Sequence, residues 1–468
     1  MNFLLVLLSV WFVSFTDKPE KTAPQLSERA VEQRAKWGIR TDGMDYPVSP
    51  MYMKELTEMG VKIYHKSRWF NGVTVEMDEE TAEKVKGLKY VKDVEMTRDD
   101  SPQSESALKH RMPAWKKDEI ELYTDSQLTL YNLLSLHEAG FEGQGIRMAV
   151  CDGGFYNAQE MNCFRQKELE LGHFDFTDDK DDFYGPSGAH GTMCLSTISG
   201  IADGFYGAAT KAQYYLMRSE EEVTESPKEM DNLVAALETA DSLGVNVFTV
   251  SLGYAKFDNE DWTLPKSALD GKSTRASLAA TIAARKGMLV CVAAGNEGNS
   301  EWRTISVPAD ADSILAVGAV DIEGTIGTFS SYGPSADGRV KPDVCAVGVK
   351  SVLIHPDAKL VYSNGTSFAC PLIAGLAASL WSALPDENAM QIRERIIRSA
   401  DRYSEPDTEQ YGYGIPDAWL AYTMQLPLGI ENVGIQDNGP ESRKILKDGR
   451  LLIIRQGKAY NMAGQRME

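Results

Sequence analysis

Four residues of this chain have the types and the order that nucleophilic acyl chemistry needs. Ser367 sits in Gly365-Thr366-Ser367-Phe368-Ala369-Cys370-Pro371, small residues that pass directly into the apolar stretch 372–384. A serine before a helix is commonly a cap. Its hydroxyl is also open to a substrate carbonyl, and N–H groups at a helix start favour a developing negative charge. A hydroxyl is a weak nucleophile at neutral pH. It needs a base, a carboxylate to orient that base, and donors for the oxyanion. His190 opens His190-Gly191-Thr192 before an apolar helix. Asp152 closes an apolar strand ahead of Gly153-Gly154, and Asn296 follows another in Ala293-Ala294-Gly295-Asn296. Taken singly, Asp152 and Asn296 read as turn formers. His65, His110, His137, His173 and His355 read as surface or core-satisfied histidines. The joint order is what points to chemistry.

The elements that must position these groups alternate in type. Strands are expected over 147–151, 213–217, 245–250 and 288–293. Leu233, Leu237, Ala240 and Leu243 share one helical face that Gly244 stops, and 274–286 repeats the helix before Gly287. Such repeats predict an α/β domain with a mostly parallel sheet covered by helices on both faces. Ligands bind beyond the carboxyl ends of such strands, where Asp152, Asn296 and Ser251 all fall.

Around this domain, assigned to 122–424, five other regions differ in pattern. The apolar run 3–15 is too short for a bilayer span and suits the core of a signal peptide over 1–16. That reading sends the protein to a secreted or cell-surface location, and no later segment predicts a transmembrane span. A charged, Pro-containing linker is expected over 17–43, then a small α+β domain over 44–97. Its predicted strands are 61–64, 72–77 and 90–96, with a helix over 79–88. Residues 98–121 form a polar connection with Pro102 and Pro113, the kind that proteases cut. At 425–468, apolar runs flanking Gln456-Gly457 suggest a short β segment with a hairpin.

Bulk composition narrows the partners. The 468 residues carry a formal charge of −20, which disfavours nucleic acid or an anionic membrane as the main partner, because phosphate binding needs a basic footprint. Cys151, Cys163, Cys194, Cys291, Cys345 and Cys370 show neither a paired framework nor a CxxC, and read as small buried hydrophobes. Asp175, Asp178, Asp179, Asp181 and Asp182 form an acidic loop, read either as solvated surface or as a structural calcium site; no metal ligands are assigned. Glu220-Glu221-Glu222 follows a strand and, at a cleft rim, would favour basic substrate side chains.

The four motifs in this order resemble the subtilisin-like serine proteases (subtilases, peptidase S8 family), with their D-x-G, HGT, AAGN and GTS-x-A-x-P words. The resemblance covers about 122–424. It implies a subtilisin-like fold in which Ser367 is the nucleophile, His190 the general acid–base and Asp152 its orienter. The Asn296 amide and the Ser367 backbone N–H would donate to the oxyanion. Ser251, Leu252 and Gly253 match the family's substrate-binding strand, which pairs with an extended peptide. Lys341-Pro342-Asp343-Val344 matches a scaffold segment. The chemistry implied needs no cofactor, and its partners are protein or peptide substrates. The small domain resembles the inhibitory propeptide of subtilases, an intramolecular inhibitor released by a cut between 98 and 117. Residues 444–468 resemble the C-terminal tails of type IX secretion. An α/β-hydrolase is disfavoured, since Ala369 breaks GxSxG and the acid precedes the serine. A catalytically dead peptide-binding module remains the non-enzymatic alternative.

Overall fold

The structure is a computed structural model that describes residues 8–20, 22–99, 124–164, 169–177, 182–221, 224–426 and short strands beyond 441. The chain divides into two units, residues 1–426 and 427–468.

The first unit opens with an α+β layer: β1 (Ser9–Phe15), α1 (Glu28–Lys36), α2 (Pro50–Glu58), β2 (Lys62–Ser67), β3 (Gly72–Met77), α3 (Glu79–Lys86) and β4 (Val91–Arg98). The strands form an antiparallel sheet in the order β2-β3-β1-β4. Expected strands and helix over 61–96 are all present. The apolar run 3–15 requires a correction. Its residues 9–15 are not a signal-peptide core but an inner strand, hydrogen-bonded to β3 and β4, with Val10, Trp11, Phe12, Val13 and Phe15 buried. An inner strand covered on both faces has the same continuous apolar signature as a targeting core, so pattern cannot separate them. The layer therefore starts near residue 9 rather than 44, and 17–43 carries α1 instead of serving only as a linker.

The larger part begins with α4 (Thr124–Thr129) and α5 (Leu133–Glu138) and continues through β5 (Arg147–Asp152), β6 (Glu170–Asp175), α6 (Ala189–Ser199), a hairpin of β7 (Ile201–Ala202) and β8 (Phe205–Tyr206), β9 (Gln213–Arg218), α7 (Lys228–Leu243), β10 (Val247–Val250), α8 (Arg275–Arg285) and β11 (Leu289–Ala293). It ends with β12 (Leu315–Val320), β13 (Val344–Val347), a hairpin of β14 (Ser351–Ile354) and β15 (Leu360–Ser363), α9 (Thr366–Ala383), α10 (Ala389–Ser399) and α11 (Ala418–Thr423). Seven strands form one sheet, β13-β12-β11-β10-β5-β9-β6, with every pairing parallel. Alternate side chains feed two cores. Met148 and Val150 pack with α9 and α6, while Ala149 and Cys151 pack with α7 and α8. All six cysteines are free and buried. Among the described residues only α9 is long and apolar enough to cross a bilayer, and it is buried in the core.

The N-terminal layer docks on the outer face of α7 through charge. Glu238 accepts from Ser67 Oγ at 2.6 Å, the Arg68 N–H at 2.9 Å and the Trp69 N–H at 3.2 Å. Asp241 bridges Arg34 at 2.7 Å and Arg68 at 2.6 Å. Asp45 pairs with Arg34 at 2.7 Å and Lys286 at 2.9 Å. Arg275 joins Asp231 to Glu95.

The second unit is an antiparallel sheet of β16 (Ser442–Lys447), β17 (Arg450–Arg455), β18 (Lys458–Tyr460) and β19 (Arg466–Met467), in that order. The expected pairing of β17 with β18 is present; Gln456 and Gly457 lie outside the described residues.

Removing the Glu238 carboxylate leaves three buried donors, Ser67 Oγ and the Arg68 and Trp69 N–H groups, without their acceptor, a loss of about 3–5 kcal/mol. In the full chain carrying Ser367→Ala, Glu238→Ala is expected to strip hydrogen-exchange protection from residues 62–77 while β5, β10 and β11 keep theirs. Unchanged protection would show that this carboxylate does not hold the layer.

Candidate active site

Three parallel strands end at one place, and each delivers a predicted site residue. β5 ends on Asp152, the chain after β10 gives Ser251, and the chain after β11 gives Asn296. Two helices begin there, α6 with His190 at its second residue and α9 with Ser367 at its second.

Close backbone approach brings His190 to Asp152. A Cβ on Gly191 would lie 2.2 Å from the Gly154 carbonyl oxygen and 2.9 Å from the Asp152 Cβ. Gly154 itself takes φ +139°, a conformation that favours glycine. These glycines let the first turn of α6 rest on the turn after β5. His190 Nδ1 then meets Asp152 Oδ1 at 2.8 Å, and the Gly153 N–H donates to the same oxygen at 2.9 Å. Asp152 is 1% exposed and His190 8%. Burial works against a charged imidazole, but the Asp152 carboxylate and its hydrogen bond, with help from Cys194, outweigh it and hold His190 well above the ordinary histidine value.

Ser367 is fixed through its own backbone. Pro371, inside α9, has no N–H to give the carbonyl four residues back. The released Ser367 carbonyl accepts from Ser251 Oγ at 2.8 Å and Cys194 Sγ at 3.3 Å. In return Ser367 Oγ donates to the Ser251 carbonyl at 3.4 Å. Cys194 Sγ also lies 3.8 Å from His190 Nδ1, so one sulfur touches both the histidine and the serine residue.

Asn296 is oriented by Thr366. Its Oδ1 accepts from the Thr366 N–H at 2.9 Å and from Thr366 Oγ1 at 3.0 Å. A backbone N–H can only donate, so the contacting atom is the oxygen and the Nδ2 donors point away from Thr366. Ser367 N–H is the second of α9, where no intrahelical acceptor exists. Ser367, Asn296, Ser251, Leu252 and Gly253 all line one cavity of about 340 Å³. Seven sequence-predicted residues thus meet at one end of the sheet.

Pattern reading missed two supporting groups. Thr366 stood inside the serine motif without a role, and Cys194 was read only as a buried hydrophobe. Its spacing of four from His190 on a helix was the available signal. Lys341 and Asp343, expected as scaffold, pair at 2.7 Å, and Asp343 continues to Arg393 at 2.7 Å and to the Ala316 N–H at 2.9 Å. Of the acidic loop, Asp178, Asp179 and Asp181 lie outside the described residues. Asp175 and Asp182 accept hydrogen bonds from the backbone N–H groups of Thr177 and Tyr184, and no calcium ligands are assigned.

Residues 143–414 match the model of the subtilase family of peptidase S8, and residues 10–111 match the peptidase S8 propeptide domain of Bacteroidota. The second match begins inside β1, in agreement with the strand that opens the N-terminal layer. The chain is 28% identical to subtilisin BL of Lederbergia lenta, over 61% of this chain and 93% of that protein. It is 27% identical to a thermostable alkaline protease of Halalkalibacterium halodurans, over 63% of this chain and 72% of that protein. MycP1 from Mycobacterium smegmatis shares the fold at TM-score 0.55 and 22% identity, covering 71% of this chain and 92% of that structure. MycP1 with its N-terminal propeptide removed aligns at TM-score 0.51 and 23% identity, over 66% of this chain and 99% of that structure. The matched model spans more than half of the chain, which therefore belongs to the subtilase family: it is a serine endopeptidase with an S8 propeptide domain at its N-terminus.

Proposed function

We propose that the protein is an exported serine endopeptidase, made as a propeptide-inhibited zymogen, that works through Asp152, His190 and Ser367. The observation that carries this reading is the buried 2.8 Å contact of His190 Nδ1 with Asp152, next to a cavity that Ser367 and Asn296 share. His190 takes the Ser367 proton as Oγ attacks a peptide carbonyl. The Asn296 amide and the Ser367 N–H donate to the oxyanion. His190 then protonates the leaving amine, and an acyl-enzyme remains. Water, deprotonated by the same histidine, releases the acyl group and restores Ser367. The substrate lies extended along Ser251-Leu252-Gly253.

Inhibition in the zymogen is supported by where β4 ends. Arg98 pairs with Glu221 at 2.9 Å, and the Asp99 carboxylate accepts from Asn259 Nδ2 at 3.1 Å. Glu221 adjoins Glu220, which lines the cavity, and Asn259 belongs to the chain that continues from the lining residue Lys256. The chain leaving Asp99 therefore starts at the cleft, and the cut that frees the enzyme falls between Arg98 and Lys117. Residues 444–468 serve as a sorting tail for type IX secretion.

Ser367→Ala is expected to abolish casein hydrolysis, to keep the native circular dichroism spectrum and to leave the 98–117 connection uncut. Wild-type enzyme is expected to react with a fluorophosphonate at Ser367. Labelling without casein cleavage would favour an esterase, and neither would favour a peptide-binding module. Because only neutral His190 can accept the proton, kcat/KM is expected to rise with pH through its elevated value. The acid limb thus lies above the ordinary pH of about 6.5 and moves down in Asp152→Asn; a wild-type limb at or below that value overturns the charge pairing. Deletion of residues 445–468 is expected to block export, as read by activity in the culture medium, and unchanged export refutes the sorting role.

A further inference from the structure

Resting on the reading of Ser367 as nucleophile, we propose that the cavity beside it selects a cationic side chain, Arg or Lys, on the acyl side of the scissile bond. Glu220 and Glu225 form its anionic wall.

The cavity has the shape and lining for a long, amphipathic cation. Leu252, Ala255 and Trp302 offer apolar surface for an aliphatic stem, as Arg and Lys stems require. Beyond them stand the carboxylates. Glu220, 7% exposed, follows β9 and lies against Gly153, so it reaches the cleft from the turn after Asp152. Glu225 enters from the approach to α7. Carboxylate oxygens of Glu220, Glu225 and Glu229 lie within 4.8 Å of one another. Glu229 is held by the N–H groups of Glu221 at 2.8 Å and Ser226 at 3.3 Å, so its charge is built into the first turn of α7. Three carboxylates gathered this closely make that wall of the cavity anionic, which favours a cation on the substrate. Among the described residues Lys256 is the only cation lining the cavity, and it is exposed, with a flexible stem that can swing to solvent.

The expectation for Glu220-Glu221-Glu222 is thus corrected in detail. Glu220 lines the cavity. Glu221 is buried in contacts with Arg98 and Lys228, and Glu222 lies outside the described residues. Glu225 is the partner that pattern reading missed.

A second observation points to the same ligand. On the processing proposed above, the first peptide cut is the connection that follows Asp99, and Arg98 just before it pairs with Glu221, the neighbour of Glu220 in the cavity wall. That connection carries Lys109, Arg111, Lys116 and Lys117. Its sequence therefore offers the charge that the cavity wall complements.

The test uses the processed enzyme with a positional-scanning library of fluorogenic peptides. At one position on the acyl side, Arg and Lys are expected to exceed norleucine at least tenfold in kcat/KM. Glu220→Gln with Glu225→Gln is expected to lower that Arg-to-norleucine ratio about tenfold, and Glu225→Gln alone severalfold. A ratio cancels losses from misfolding. A flat library, or a ratio that the variants leave unchanged, overturns the assignment. If Ser367 still labels with a fluorophosphonate and casein is still cut, only the pocket assignment falls. If neither occurs, the protease reading falls with it.

Discussion

One backbone carbonyl registers the whole site. Pro371 withholds the hydrogen bond that would have closed α9 over Ser367, and the Ser367 oxygen turns outward to Ser251 Oγ and Cys194 Sγ. Ser251 lies just past β10, and Cys194 lies on α6 one turn below His190. A single acceptor thus joins α9, the segment that follows β10, and α6. Acyl transfer needs its groups held to within fractions of an ångström, and loops alone hold less well than packed elements. The glycines at 154, 188 and 191 extend the same logic. At Gly188 a Cβ would lie 2.3 Å from the Phe155 nitrogen, so any side chain there would push α6 off Asp152.

A second constraint runs along α7. Its polar positions meet the N-terminal layer from end to end: Lys228 with the Tyr64 ring, Asn232 with His65, Glu238 with the turn after β2, and Asp241 with Arg34 and Arg68. Past its end, Arg29 donates to the Gly244 carbonyl at 3.2 Å, where a cation suits the helix dipole. The opposite face carries Leu233, Leu237 and Ala240 into the core. Buried ion pairs repay their desolvation only while both partners stay in place. An interface made this way is specific when joined, and each side keeps well-solvated charges when parted. That is the behaviour a detachable domain requires, and an apolar interface would leave a large sticky patch on the released enzyme.

Much of this was legible in the chain. Asp152, His190, Asn296 and Ser367 announced themselves because glycines, small residues and a proline are forced around them by close backbone approach, and those constraints are local. β5, β9, β10 and β11 were legible because strands buried on both faces are continuous apolar runs between turn signals. The same signature misled at residues 9–15, since an inner strand and a targeting core both need unbroken apolar sequence. Glu238 and Asp241 gave no signal at all. A charged stripe on a helix reads as solvent-facing, and only a distant segment with matching charge, here Arg34 and Arg68, turns it into a buried surface. Thr366 was hidden for another reason: its work is to turn an amide 70 residues away.

The Asp152–His190 pair carries an inherent trade. Asp152 Oδ1 takes both the His190 and the Gly153 donors, whereas Oδ2 is buried and accepts no hydrogen bond from the described residues. A carboxylate with few donors keeps more of its charge, and that charge acts on the imidazole a few ångströms away. In the proposed mechanism the imidazolium that forms as Ser367 attacks is then strongly stabilised, which lowers the barrier. The same field stabilises a proton on His190 before substrate arrives, which leaves fewer molecules with a competent base at low pH. Burial opposes the charge in both states. A further donor to Oδ2 would free the base at lower pH and give back part of the transition-state stabilisation. Geometry at this pair therefore sets the working pH and the barrier together, and neither can be tuned without the other.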